Sequence, residues 1–176
     1  MFRALLIACC LTSLPALADS AVAIGDLVNQ RLSLMKDVAG YKAQQHLPIE
    51  DAAQEARVLA GSQAEAGRLG LEPASVRPFI AAQMDAAKAI QYRYRADWLA
   101  SPEQGWRPRA LESVRPQIAR LSSRILQLLA KRLQAGPLTE ADRGAFQQAL
   151  NQTNLGEADK RRLFDALLAV KTDKAG

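Results

Sequence analysis

Residues 31–55 read RLSLMKDVAGYKAQQHLPIEDAAQE. The first half carries apolar residues at helical spacing, Leu47-Pro48-Ile49 breaks the pattern, and Asp51 is a good N-cap for a new helix. Arg31 and Lys42 stand eleven positions apart. On a helix they point within about 20° of each other and lie about 16 Å apart along the axis. Met35 and Val38 lie between them on the same side. Two cations thus sit in a mostly apolar stripe, where a solvated face would surround them with polar residues. Buried cations need partners. Asp51 and Glu55, just past the break, are candidates for part of that compensation, and a small dianionic ligand is the other candidate.

Outward from this stretch the pattern stays helical, and no alternating strand is evident. A first helix is expected over about 21–46, with Leu27, Leu34, Val38 and Tyr41 as its core stripe. Gly40 in it reads either as a close helix approach or as a tolerated surface glycine. A second helix runs from Asp51 to Leu69 and stops at Gly70. Its large apolar residues are few, Val58 and Leu59, so alanine must fill the rest of its buried face at close packing. A third opens at Glu72-Pro73 or Ser75 and runs to about Trp98. SPEQGWRPR, 101–109, is a loop, with Trp98 and Trp106 packed over it. A fourth helix spans Ala110 or Ser113 to Gln134, with Ile118, Leu121, Ile125, Leu128 and Leu129 as a strong stripe. Thr139 with Asp142, and Asn154 with Glu157, resemble caps of a fifth helix to Leu150 and a sixth to Val170. TDKAG at the end is expected to fray. The expectation is an all-α fold: a single-domain bundle of about six helices over 19–176.

Residues 1–18 stand apart. Arg3, the apolar run Ala4 to Leu14 and the small-x-small triplet Ala16-Leu17-Ala18 read as a secretory signal peptide cut before Asp19. The run is too short for a membrane anchor. A rival, a lipid-attachment box at Leu6-Ile7-Ala8-Cys9, lies too near the start to leave an apolar region before it. The mature chain would be periplasmic or secreted, with no membrane partner. Cys9 and Cys10 both fall in the leader and His46 is the one histidine, so thiolate zinc sites and His-dependent triads are excluded. No metal or other cofactor is implied. There are 23 basic and 18 acidic residues, and loss of Arg3 lowers the formal net charge of +5 by one. With no dense Lys/Arg run and little aromatic interleaving, no nucleic-acid partner is expected. The excess suits attraction of a small acidic ligand.

The ordered set of Arg31, Lys42, LPIED with Glu55, the segment QMDAAKAIQYRYRADW and LSSRIL resembles the secreted, all-helical chorismate mutases, over about Leu27 to Leu129. The resemblance implies rearrangement of chorismate to prephenate, an intramolecular Claisen reaction needing no covalent intermediate, metal or proton transfer. By that resemblance Arg31 and Arg124 grip carboxylates and Lys42 reaches the ether oxygen and a carboxylate. Gln91 donates a second hydrogen bond to that oxygen, Glu55 accepts from the ring hydroxyl, and Asp51 anchors that corner through its backbone. It also implies a homodimer, each chain with a complete pocket. Two positions depart from the family pattern. Asp-x-x-Arg-Glu becomes Asp51-Ala52-Ala53-Gln54-Glu55, so Gln54 offers hydrogen bonds without charge, with Arg57 three residues on to compensate. Ala87 replaces a polar side chain.

Singly, these residues have plainer readings. Arg31 and Lys42 suit a solvated helix, Asp51 an N-cap, Glu55 a dipole partner, and Arg124 an ion pair, with Arg120 a rival for its role. Gln91 alone carries no signal. The alternative function is a non-catalytic periplasmic helical bundle that binds an anionic ligand or partner protein.

Overall fold

A computed structural model describes residues 14–173. Most of the expected leader, and with it both cysteines, lies outside the described residues. The expected six helices appear in order. The first is divided: α1 spans Leu14–Ser33 and α2 spans Met35–Gln44. Leu34 between them keeps right-handed helical angles, and Val38 N–H still donates to Leu34 C=O at 3.2 Å. The chain therefore runs on almost straight through the division. It stops at Gln44 rather than His46, because His46 takes a φ of 53° and turns the chain.

α3 (Ala52–Arg68) is capped by Asp51, whose carboxylate accepts from Gln54 N–H at 3.0 Å. α4 spans Pro73–Ala100 and α5 spans Leu111–Ala135. After a short 3-10 turn, Glu140–Asp142, α6 covers Arg143–Ala149 and α7 covers Glu157–Leu168. Asp142 accepts from Thr139 N–H at 2.8 Å, matching the expected cap. The cap at α7 differs from expectation. Asp159 reaches back to Gly156 N–H at 3.0 Å, while Asn154 adopts a φ of 66° and donates to Asp97. The tail also differs, since Thr172 bridges Leu71 and Asp173 N–H donates to Gly70 C=O at 2.9 Å. Apart from that bridge, no strand occurs among the described residues. None of their helices is long and apolar enough to cross a membrane.

α4 is the central element, roughly 42 Å long, packed on α2, α3 and α7, while α1 packs on α5 and α6. Phe79, Phe146 and Phe164 are fully buried in one continuous core with the leucines of α5 and α7. On α3 the buried residues are Ser62 and Ala66, as expected of a helix poor in large apolar groups.

Loop 101–110 is pinned to α2. Arg109 donates to Asp37 from its backbone N–H at 3.0 Å and from Nε at 2.7 Å, and Lys36 pairs with Glu103 at 2.6 Å. Trp106 stacks obliquely on Trp98 at 5.6 Å and lies flush against Gly40. A Cβ at Gly40 would fall 2.5 Å from Cη2 and 2.7 Å from Cζ3 of the indole. Gly40 is therefore a close-approach glycine. Gly40→Ala is expected to cost about 1–3 kcal/mol through overpacking. A melting temperature several degrees lower in thermal denaturation checks this, and an unchanged one would contradict the packing.

Candidate active site

A cavity of about 380 Å³ opens between five helices, lined by Arg31 of α1, Lys42 of α2, α3, Gln91 of α4 and α5. The volume lies within the range of small-molecule sites. Arg31 and Lys42 end α1 and α2, each in a last turn, where a cation complements the helix dipole. The division at Leu34 leaves both on the cavity side, with Met35 and Val38 between them.

Arg31 is 6% exposed. Its Nε donates to Ser122 Oγ at 3.2 Å and its Nη1 to Gln83 C=O at 3.4 Å. Neither partner is charged, and Arg31 forms no ion pair among the described residues. Burial lowers its pKa to about 10. Arg132 makes the contrast. It is buried to a similar degree, but pairs with Asp142 at 3.3 Å and donates to Gly136 and Pro137 C=O. A buried guanidinium with a structural task thus carries its own carboxylate here, whereas Arg31 has only neutral acceptors.

Lys42 is likewise buried. Its Nζ donates to Ile49 C=O at 2.6 Å, leaving two of three N–H groups for other acceptors. Burial lowers its pKa, and the field of Asp51 offsets part of this. Gln91 is 4% exposed. Its amide nitrogen donates to Ala87 C=O at 3.1 Å and meets Met35 Sδ at 3.8 Å, a weak acceptor. Its amide oxygen is buried with no hydrogen-bond partner among the described residues.

Asp51 and Glu55 close one end. Glu55 accepts from Asp51 N–H at 3.4 Å and from Lys88 Nζ at 3.0 Å. The Glu55 carboxylate raises the Lys88 pKa through that hydrogen bond. Asp51 faces Arg115 at 3.6 Å. Gln54 also lines the cavity, its amide oxygen accepting from Arg57 Nη2 at 2.9 Å.

Six of the seven expected site residues line this one cavity: Arg31, Lys42, Asp51, Gln54, Glu55 and Gln91. Arg124 does not. It is exposed and absent from the wall, and its rival Arg120 is exposed too. The cavity face of α5 runs through Leu111, Arg115, Ile118, Ala119, Ser122 and Ser123, at helical spacing. Arg124, two residues past Ser122, points about 160° from it, to the opposite side of the helix. Arg115 supplies the α5 guanidinium instead. That spacing is present in the sequence but hidden by the neighbouring Pro116. Lys88 also lines the wall, and its signal in the sequence is its position one turn before Gln91.

Five cations line the wall: Arg31, Lys42, Arg57, Lys88 and Arg115. Three carboxylates do so: Asp51, Glu55 and Glu65. The excess of two positive charges matches a dianion.

Residues 22–92 match the family described as chorismate mutase type II. The chain is 47% identical over 160 residues to the secreted chorismate mutase of Yersinia pestis, covering 90% of this chain and 86% of that protein. It is 43% identical to the monofunctional chorismate mutase of Enterobacter agglomerans, over 86% of each. Its fold is similar to the crystal structure of the Yersinia pestis protein, with a TM-score of 0.80 over 85% of this chain and 97% of that one. It is also similar to a chorismate mutase from Burkholderia thailandensis at 27% identity, with a TM-score of 0.66 over 84% and 96%. Signature, length and architecture agree, and this chain belongs to the chorismate mutase family of type II.

Proposed function

We propose that this protein is an isomerase converting chorismate to prephenate in the cavity lined by α1 to α5. The observation that carries this reading is the pair of deep cations, Arg31 and Lys42, neither of which forms an ion pair with a carboxylate among the described residues. Leaving such charges inside a fold is costly unless a ligand completes them. A compact dicarboxylate does so, and the net charge of the wall supports it.

The reaction breaks a C–O bond as a C–C bond forms within one molecule. The protein need only hold the substrate in its folded conformer and favour charge growing on the ether oxygen. Lys42, with two spare N–H groups, is the donor proposed for that oxygen. Gln91 is the second: its amide N–H against Met35 sulfur would exchange a weak acceptor for a strong one. Arg31 and Arg115 are proposed to hold the carboxylates, Arg115 in the role first expected of Arg124. Glu55, fixed by Lys88, accepts from the ring hydroxyl, and Asp51 fixes that corner as the α3 cap.

The same reading includes export with cleavage before Asp19 and a homodimer in which each chain forms its own cavity. On this reading each chain works alone, and specific activity would not vary with dimer dissociation. The test is chorismate absorbance followed with protein recovered from the periplasm, alongside its intact mass and sedimentation. Loss of absorbance, a mass beginning at Asp19 and two chains per particle are expected. A folded helical protein that turns over no chorismate at high substrate would favour an anion-binding bundle.

A further inference from the structure

α3 offers the cavity an arginine one turn away from the uncharged Gln54, and the two side chains are joined. Arg57 Nη2 donates to Gln54 Oε1 at 2.9 Å, and both residues line the wall. Arg57 forms no ion pair among the described residues, although Asp51, Glu55 and Glu65 all stand within eight positions of it on α3 and its cap. Four of its five guanidinium N–H groups have no protein acceptor there. Gln54 is held from both sides: its backbone N–H is capped by Asp51 and its amide oxygen is taken by Arg57. Its NH₂ donates to no protein group among the described residues. The joint unit therefore presents free donors and one positive charge. Three residues along a helix shift a side chain by about 60° and 4.5 Å, a distance that the long arginine stem spans.

We infer that Arg57 and Gln54 together form one carboxylate-binding subsite, Arg57 supplying the charge and Gln54 the directed amide. Arg57 is thus a specificity-determining residue for a doubly charged substrate. The inference rests on the chorismate reading. Arg57 is exposed at the cavity rim, so its replacement leaves the core untouched.

The test compares Arg57→Ala, Gln54→Ala, the double variant and Arg57→Ala/Gln54→Arg. KM and kcat for chorismate are measured, with calorimetric affinity for an oxabicyclic dicarboxylate that mimics the transition state. Arg57→Ala should raise KM and weaken the mimic about ten- to hundredfold, the range for one charged hydrogen-bonding group. Its kcat should stay within about threefold and its melting temperature should not move. The double variant should lose less than the product of the single losses, because the two residues act as a unit. Returning the guanidinium at position 54 should recover most of the loss. Wild-type KM and affinity in Arg57→Ala, or independent losses in the double variant, would overturn the inference while leaving the enzyme reading intact. A wild-type protein that neither turns over chorismate nor binds the mimic would remove both.

Discussion

Lys42→Ala is expected to lower kcat for chorismate by about 10²–10³ with KM changed far less, the usual consequence of removing one donor to a developing oxyanion. The ammonium is positioned before any ligand arrives. It sits in the last turn of α2, and Ile49 C=O holds one of its N–H groups at 2.6 Å. The reorganisation needed when charge grows on the ether oxygen is therefore small. Burial sharpens the effect, since the low local dielectric that lowers the Lys42 pKa also strengthens its field on a neighbouring oxygen. Gln91 cannot replace it, being a neutral donor. The fold should persist, because among the described residues the Lys42 side chain makes one hydrogen bond, to Ile49 C=O. Circular dichroism and melting should resemble those of the parent protein. Lys42→Met, which keeps the apolar stem, should lose activity equally; a Met variant that retained activity would show that packing, not charge, is what Lys42 supplies.

Arg31→Met is expected to separate stability from function. Burial lowers the Arg31 pKa to about 10, well below its value in the unfolded chain, so the folded state holds this charge less well than the unfolded chain does. Between those values the unfolded chain binds the extra proton, and stability contributed by this site rises with pH. Below pH 10 both states are charged and the penalty of burying this charge stands in full. Methionine removes the charge and keeps most of the volume. Little hydrogen bonding goes with the guanidinium: Ser122 Oγ still donates to Ile118 C=O. A gain of roughly 1–3 kcal/mol in unfolding free energy at pH 7 is expected. kcat/KM for chorismate should fall about a hundredfold or more, because the carboxylate proposed to lie on Arg31 loses its guanidinium. Urea unfolding and steady-state kinetics on one preparation check both halves. A destabilised Arg31→Met protein would mean that Arg31 is a structural residue like Arg132.

The bundle and much of this wall are legible in the sequence because helical period fixes which residues share a side. The eleven-residue separation of Arg31 and Lys42 survives the division at Leu34, since Leu34 keeps helical angles. Asp51 and Glu55 follow from an N-cap after Leu47-Pro48, a local signal that the structure reproduces. What local pattern does not carry is which turn of a distant helix faces the cavity. Along α5, Arg115, Arg120 and Arg124 differ only in phase, and that phase is set by packing of Ile125, Leu126 and Leu129 into the core. Sequence alone consequently does not separate Arg115, which lines the cavity, from Arg124, which does not. Lys88 escapes notice for a related reason, because its partner Glu55 lies 33 positions earlier on another helix. The close approach at Gly40 needs the position of Trp106, which a loop of Pro and Gly leaves undetermined until Asp37 and Arg109 pin it.

The most direct test of convergent fixed charge is a crystal structure of the mature protein with the oxabicyclic dicarboxylate bound. The ligand is expected between α1, α3 and α5, its ether oxygen within hydrogen-bond reach of Lys42 Nζ and Gln91, and a carboxylate on Arg31. A ligand bound elsewhere, with Arg31 still held only by Ser122 and Gln83, would contradict it.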